Sequence, residues 1–243
     1  MNDVIRPSNT TAWTGGETAR GPRARAVAVL IELQSVVECA AALITYRRRG
    51  LDPDRVFYNY RMADEHVRHG LDYFIPHSPD FRQVVAEPRE LLDWSRIPSF
   101  RETATARDFL LSAGYQQGVS FLLLSQERAV GTFHLNVQYT AAFTDAELQA
   151  LDRAREAIQR EVGAFVRAGD LGLTARELDV LNLVAWGATN GQISAALHLS
   201  RSTVGTHVEH ILHKLDASNR VQAVRTALAL ELVDEQQPHI SVM

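Results

Sequence analysis

Between Thr174 and Leu230 the apolar positions recur at helical spacing in short runs broken by a few polar residues. Leu178, Leu181, Val184 and Ala185 form one stripe; Ile193, Ala196 and Leu197 a second; Val204, Val208, Ile211 and Leu215 a third. Each run starts with cap chemistry. Thr174-x-x-Glu177, Thr189-x-x-Gln192 and Asn219-x-x-Gln222 place a capping oxygen three residues ahead of an acid or amide that can reach back, and Ser200 is a fourth cap. No stripe can be buried by its own helix, so four short helices must pack together. The link His198-Leu199-Ser200 is short enough to cross the second and third as a helix-turn-helix does.

The preceding part of the chain has a different rhythm. Arg25 to Thr45 reads as a mostly apolar helix with Val27, Leu30, Ile31, Val37, Ala41 and Ile44 available for burial. Val56 to Met62, Val119 to Ser125 and Gly131 to Tyr139 alternate at period two, the last two joined by a polar loop at Gln126 to Ala129. Phe121 to Leu124 is apolar on both faces, which predicts a strand covered on both sides. Thr144-x-x-Glu147 opens a long closing helix with the stripe Leu148, Leu151, Ile158, Val162 and Phe165. Two glycines at Arg167 to Gly172 mark a joint. The expected layout is a flexible tail at 1–23, an α/β sandwich at 24–168, an all-α four-helix domain at 169–236 and a second tail at 237–243, an α+β chain overall.

Composition narrows the class. At 243 residues and 46% apolar content there is room for two domains, and the formal charge of −4 contains no block of like sign long enough to act as a nucleic-acid tail. One cysteine, Cys39, cannot form an internal disulfide. No apolar run approaches 18 residues, and the first 20 residues lack a signal-peptide core. These features predict a cytoplasmic protein with no membrane partner.

The residues of the last quarter carry a specific likeness. Leu173, Thr174, Arg176, Glu177, Val180, Leu181, Gly187, Asn190, Ile193, Leu197, Ser200, Thr203, Val204, His207, Ile211, Lys214, Leu215, Asn219, Arg220, Ala223 and Val224 stand where the LuxR-type DNA-binding pattern has the same residues. The segment resembles that family. The resemblance implies double-stranded DNA as partner, a homodimer contacting through Val221, Val224 and Leu228, and RNA polymerase as a further contact. It places the helix from about Ser202 to Leu215 in the major groove and two half-sites about one helical turn apart. Read from the stripe, Arg201, Ser202, Gly205, Thr206, Glu209, His210 and His213 point away from the core; Thr203 belongs with them, and the resemblance adds Asn190, His207 and Lys214 near the backbone.

Gly205 and Glu209 depart from the pattern, which often has basic residues there. Between Leu171 and Val233 five basic residues (Arg176, Arg201, Lys214, Arg220, Arg225) meet five acids (Glu177, Asp179, Glu209, Asp216, Glu231), so the reader is net neutral. A neutral reader gains little from counterion release and needs dimerisation or a partner. The rival reading of another class is a protein-interaction adaptor that has lost DNA binding.

The order helix, strand, helical middle, two-strand hairpin and closing helix resembles the GAF and PAS sensor group, with Gly118 to Leu151 most like the end of a GAF domain. A competing likeness is the acyl-homoserine lactone receptor domain of quorum-sensing regulators, but no Asp-Pro falls between Tyr60 and Trp94. For a small-molecule effector the candidate lining is Tyr58, Tyr60, Trp94, Phe121, His134 and Asn136. The alternation of Thr132, His134, Asn136 and Gln138 against Phe133, Leu135 and Val137 fits a pocket wall and a water-facing sheet equally. His66-x-x-His69 lacks further metal ligands and reads as a solvated face, Cys39 reads as packing, and no catalytic elbow accompanies a triad. No cofactor, metal or enzymatic activity is expected.

Overall fold

The computed structural model describes residues 21–48, 52–97 and 99–233. The expected tails at 1–20 and 237–243 lie outside the described residues. Pro22 and Arg23, assigned above to the tail, already belong to α1 (Pro22–Leu33). Proline suits that first position because its missing N–H has no intrahelical acceptor there.

α1 stops at Leu33, and the chain then forms β1 (Ala41–Tyr46), so the helix expected through Thr45 is corrected. The physical reason is burial on both faces. Ala42, Ile44 and Tyr46 enter one core while Ala41 and Leu43 enter another. A strand of this kind loses the polar alternation that marks strands, and a short apolar run cannot then be told from a helix by period. β2 (Arg55–Tyr60), β3 (Leu92–Asp93), β4 (Gln117–Ser125) and β5 (Arg128–Val137) complete a five-stranded antiparallel sheet in the order β2-β1-β5-β4-β3. The β4–β5 turn is tighter than expected. Gln126 and Glu127 both take positive φ, 50° and 62°, as a two-residue primed hairpin turn requires.

Two layers cover the sheet. α1 and α5 (Asp145–Asp170) pack on one face, where Leu151, Ile158, Val162 and Val166 meet Phe121, Phe133 and Leu135. The other face is covered by α2 (Asp64–His69), which runs through a π-helical stretch at Gly70–Phe74 into α3 (Ile75–His77), and by α4 (Pro79–Ala86). Short helical turns at Trp94–Arg96 and Phe100–Glu102 and a second π-helical stretch at Thr105–Leu111 close this layer. π-turns recur at functional sites because they re-aim side chains out of helical register. Gly131 admits no side chain, since a Cβ there would lie 2.1 Å from the Thr45 carbonyl oxygen, at the point where β1 bulges against β2 on its other side.

α5 ends at Asp170, and Gly172 turns the chain at φ 73° into the last four helices. These are α6 (Ala175–Ala185), α7 (Asn190–Leu197), α8 (Arg201–Lys214) and α9 (Arg220–Ala229). Thr174 with Glu177 and Thr189 with Gln192 form reciprocal capping boxes, and Ser200 accepts from the Thr203 amide. Asn219 accepts from the Gln222 amide, but Gln222 reaches one residue further back, to the N–H and hydroxyl of Ser218. Among the described residues no helix is long and apolar enough to cross a membrane.

Candidate nucleic-acid interface and small pocket

Val204 and Ile211 of α8 are sunk in the core made with Leu178, Leu181 and Ile193. That burial fixes the helix about its axis and turns Arg201, Ser202, Thr203, Thr206, Glu209 and His210 to the outside, with Gly205 and His207 half-buried beside them. Asn190 stands exposed at the start of α7. The α7–α8 turn is held by His198 in the left-handed region (φ 51°) and by Ser194, whose hydroxyl donates to the Leu199 carbonyl.

Lys214 is placed differently from the expectation. Its ammonium donates to both carboxylate oxygens of Glu177, at 2.8 and 2.7 Å. Glu177 is 2% exposed and also accepts from the Thr174 amide at 2.7 Å. An ammonium held by a buried carboxylate is less free to meet phosphate, and in this structure Lys214 stands as a brace between α6 and α8. Burial alone would raise the Glu177 carboxyl; hydrogen bonds from Lys214 and Thr174 outweigh it and hold the group below the ordinary carboxylate value. Arg176 and Arg220 are likewise spent on the carbonyls of Leu197 and Ala188. Arg201 and Arg225 remain exposed without an ion pair among the described residues. The free positive charge of this surface is therefore smaller than the count of basic residues suggests.

A Cβ at Gly205 would meet nothing within 4 Å. Gly205→Ala is expected to raise the unfolding free energy by about 0.5–1 kcal/mol, because alanine loses less backbone entropy in an open helix surface. Urea denaturation checks it, and a destabilised variant would show that this surface is not open. Of the expected dimer residues, Val221 is 70% exposed while Val224 and Leu228 are half-buried against the helical core.

Two arginines to which the sequence assigned no role tie the two halves together. Arg25 on α1 donates to Glu161 at 2.9 Å and to the Asn182 side-chain oxygen at 3.1 Å. Arg167 on α5 donates to the carbonyls of Leu230 and Glu231 at 2.8 and 2.6 Å and to the Ser125 hydroxyl. Lone arginines carry no periodic signal; only the helix crossing reveals them. The open cleft beside them, about 470 Å³, has most of its charge already paired, Arg25 with Glu161 and Arg167 with Glu231.

A second, smaller pocket lies on the opposite face of the sheet, under the π-helical layer, with a volume of about 50 Å³. Trp94, His134 and Asn136 of the expected lining stand in its wall. Phe121, Tyr58 and Tyr60 do not. Phe121 stacks on Phe133 at 5.5 Å in the α1/α5 core, and the tyrosines pair in register with Ile44 and Ala42, whose side chains point to that same core. His134 and Asn136 are 8% and 4% exposed, so the water-facing alternative gives way to a covered wall.

His66 and His69 are corrected from a solvated face to the cavity wall, because α2 folds down onto the sheet. His69 stacks on Phe109 at 3.7 Å with its Nε2 3.0 Å from the Thr105 hydroxyl. Burial, then the neighbouring His66, lowers the His69 pKa, and burial alone takes His134 down to about 4. The wall contains no Asp, Glu, Lys or Arg. Gly118 keeps open a space at which the Asn136 Oδ1 and the Trp94 Nε1 converge, 2.6 and 2.7 Å from where a Cβ would stand. Among the described residues no group of three His, Cys, Asp or Glu could hold a metal, and burial pushes the Cys39 thiol up to about 12.

Residues 171–227 match the model of the bacterial regulatory proteins of the luxR family. The chain is 44% identical over 62 residues to the response regulator RamR of Streptomyces coelicolor, covering 26% of this chain and 31% of that protein. It is 45% identical over 62 residues to VjbR of Brucella abortus, an HTH-type quorum sensing-dependent transcriptional regulator, covering 26% and 24%. The chain thus spans about a quarter to a third of these relatives' length. Escherichia coli SdiA aligns with 87% of this chain and 91% of its own at 19% identity and a TM-score of 0.43. The C-terminal segment is a helix-turn-helix domain of the luxR family.

Proposed function

We propose that the protein is a transcriptional regulator in which residues 169–236 bind a pseudo-palindromic DNA site as a homodimer and residues 24–168, a GAF- or PAS-like sensor, respond to a small molecule. The observation that carries the reading is α8: its apolar stripe is fully engaged in the helical core while its polar outer edge stays open to solvent. A helix held this way can be laid in a major groove without disturbing its own packing. The sheet, covered on both faces with a small pocket free of Asp, Glu, Lys and Arg on one of them, supports the sensor assignment. α5 supports the coupling, because it packs along the sheet and its last turn, at Ala168, enters the core of the C-terminal helices.

Fluorescence anisotropy of the full chain on random and selected duplexes at two salt concentrations tests the DNA assignment. Binding that weakens steeply with salt is expected; no binding at low salt would favour the adaptor reading, which the paired basic residues of the C-terminal helices motivate. Arg167→Ala is expected to free the end of α9. Amide exchange at Leu230 to Leu232 should quicken by about tenfold or more while β4 and β5 stay protected, since two charge-assisted bonds are lost. Unchanged exchange there would remove Arg167 from the coupling.

A further inference from the structure

A single file of polar side chains crosses the sheet from its edge to the cavity. Arg47 pairs with Asp54 at 2.6 Å, and the Thr45 hydroxyl donates to the other Asp54 oxygen. The Thr45 and Thr132 hydroxyls are 2.7 Å apart, the Thr132 hydroxyl is 2.9 Å from the His134 Nε2, and the His134 Nδ1 is 2.9 Å from the Ser120 hydroxyl. Thr45 and Thr132 are fully buried, and Asp54 is 8% exposed.

The direction of every proton in this file follows from its first member. A carboxylate only accepts, so the Thr45 hydroxyl proton points to Asp54. Thr45 Oγ1 must then accept, from the Thr132 hydroxyl and also from the Thr132 amide at 2.9 Å, which fills both its lone pairs. With its proton spent on Thr45, the Thr132 oxygen accepts from His134, which fixes the ring with its proton on Nε2. The bare Nδ1 can only accept, so it takes the Ser120 proton. The ring is neutral in this setting, packed between Phe74 and Phe81 with hydroxyl partners and no carboxylate contact.

We propose that this file turns Ser120 into an acceptor-only contact on the cavity wall, so that the site selects small uncharged molecules carrying an N–H or O–H donor. The inference rests on the reading of the cavity as a ligand site. Size follows from the same geometry, since 50 Å³ is several times the roughly 10–15 Å³ one water needs and suits a compact ring rather than a long chain. Charge is disfavoured because the wall holds no Asp, Glu, Lys or Arg to pair with it.

Two measurements on the full chain decide it. Two-bond ¹H–¹⁵N correlation of the imidazoles, with His134 assigned by comparison with His134→Gln, is expected to show an Nε2–H tautomer with a bare Nδ1. Thr45→Val, which cuts the file without changing side-chain volume, should give a mixture of tautomers, and Asp54→Asn, whose amide both donates and accepts, should do the same if the first variant folds poorly. An Nδ1–H ring in the parent protein, or an unaltered Nε2–H ring in the folded variants, overturns the proposal. The second measurement titrates pyrrole, a ring donor, against furan, an acceptor of the same size, following resonances around Ser120. Pyrrole should bind about tenfold tighter, the worth of one hydrogen bond, and Ser120→Ala should erase the preference. Equal binding or a preference for furan overturns the proposal. If neither ring perturbs the wall, the ligand-site reading fails while the tautomer still decides whether the file is polarised.

Discussion

Replacing Glu177 by alanine is expected to cost the C-terminal helices about 3–4 kcal/mol, the usual consequence of removing one member of a buried pair. The side chain does three things at once: it receives both bonds from Lys214, closes the capping box on Thr174, and lies 3.6 Å from His210 on the outer edge of α8. The alanine variant leaves the ammonium of Lys214, 28% exposed, with no carboxylate and α6 with an open first turn. For a unit of this size, a loss of that order lowers its melting temperature by more than about 10 °C. Glu177→Gln keeps the shape and part of the cap and should lose less. A thermal unfolding midpoint for the C-terminal helices within 2–3 °C of the parent, an approximate reading error, would show that the brace is dispensable.

The same carboxylate gives a pH signature. Its folded pKa lies below the ordinary 4.5, so the stability it supplies is complete above that value and is lost as pH falls through the depressed one. An acid limb in the stability of the C-terminal helices, present in the parent and reduced in Glu177→Gln, is the expected result.

The second large effect concerns charge on the outer edge of α8. Glu209 is exposed on the proposed DNA face, and three of the five basic residues nearby are tied to protein groups. Glu209→Lys removes one repulsion and adds one phosphate contact per protomer. In a dimer two added contacts steepen the dependence of log affinity on log salt by about two and raise non-specific duplex affinity at low salt by about tenfold or more. Arg201→Ala should move both quantities the other way. If neither substitution changes the salt slope, the outer edge of α8 does not lie along DNA, whatever else the protein binds.

The legible parts of the chain are those whose physics is local. A cap needs an oxygen and a partner three residues on, and a surface helix needs a stripe at 3.6 spacing, so Thr174, Thr189, Ser200 and the stripe through Val204 and Ile211 could be read directly. The β4–β5 hairpin was legible for the same reason, since alternation and a polar break lie within a score of residues. β1 was not, because burial on both faces erased its alternation.

What the amino-acid order determined by itself is therefore the C-terminal helices, their caps and the outward set on α8. Tertiary structure alone decided how those and the other groups are spent. Lys214 became a brace once α6 crossed α8, Tyr58 and Tyr60 took the far face of the sheet through their register with β1, and His66 and His69 entered a wall once α2 lay down on the sheet. Arg25, Arg167 and the file from Asp54 to Ser120 join residues far apart in the chain. Hydrogen bonds of that kind depend on a few tenths of an ångström between segments, and no spacing within one segment encodes such a distance.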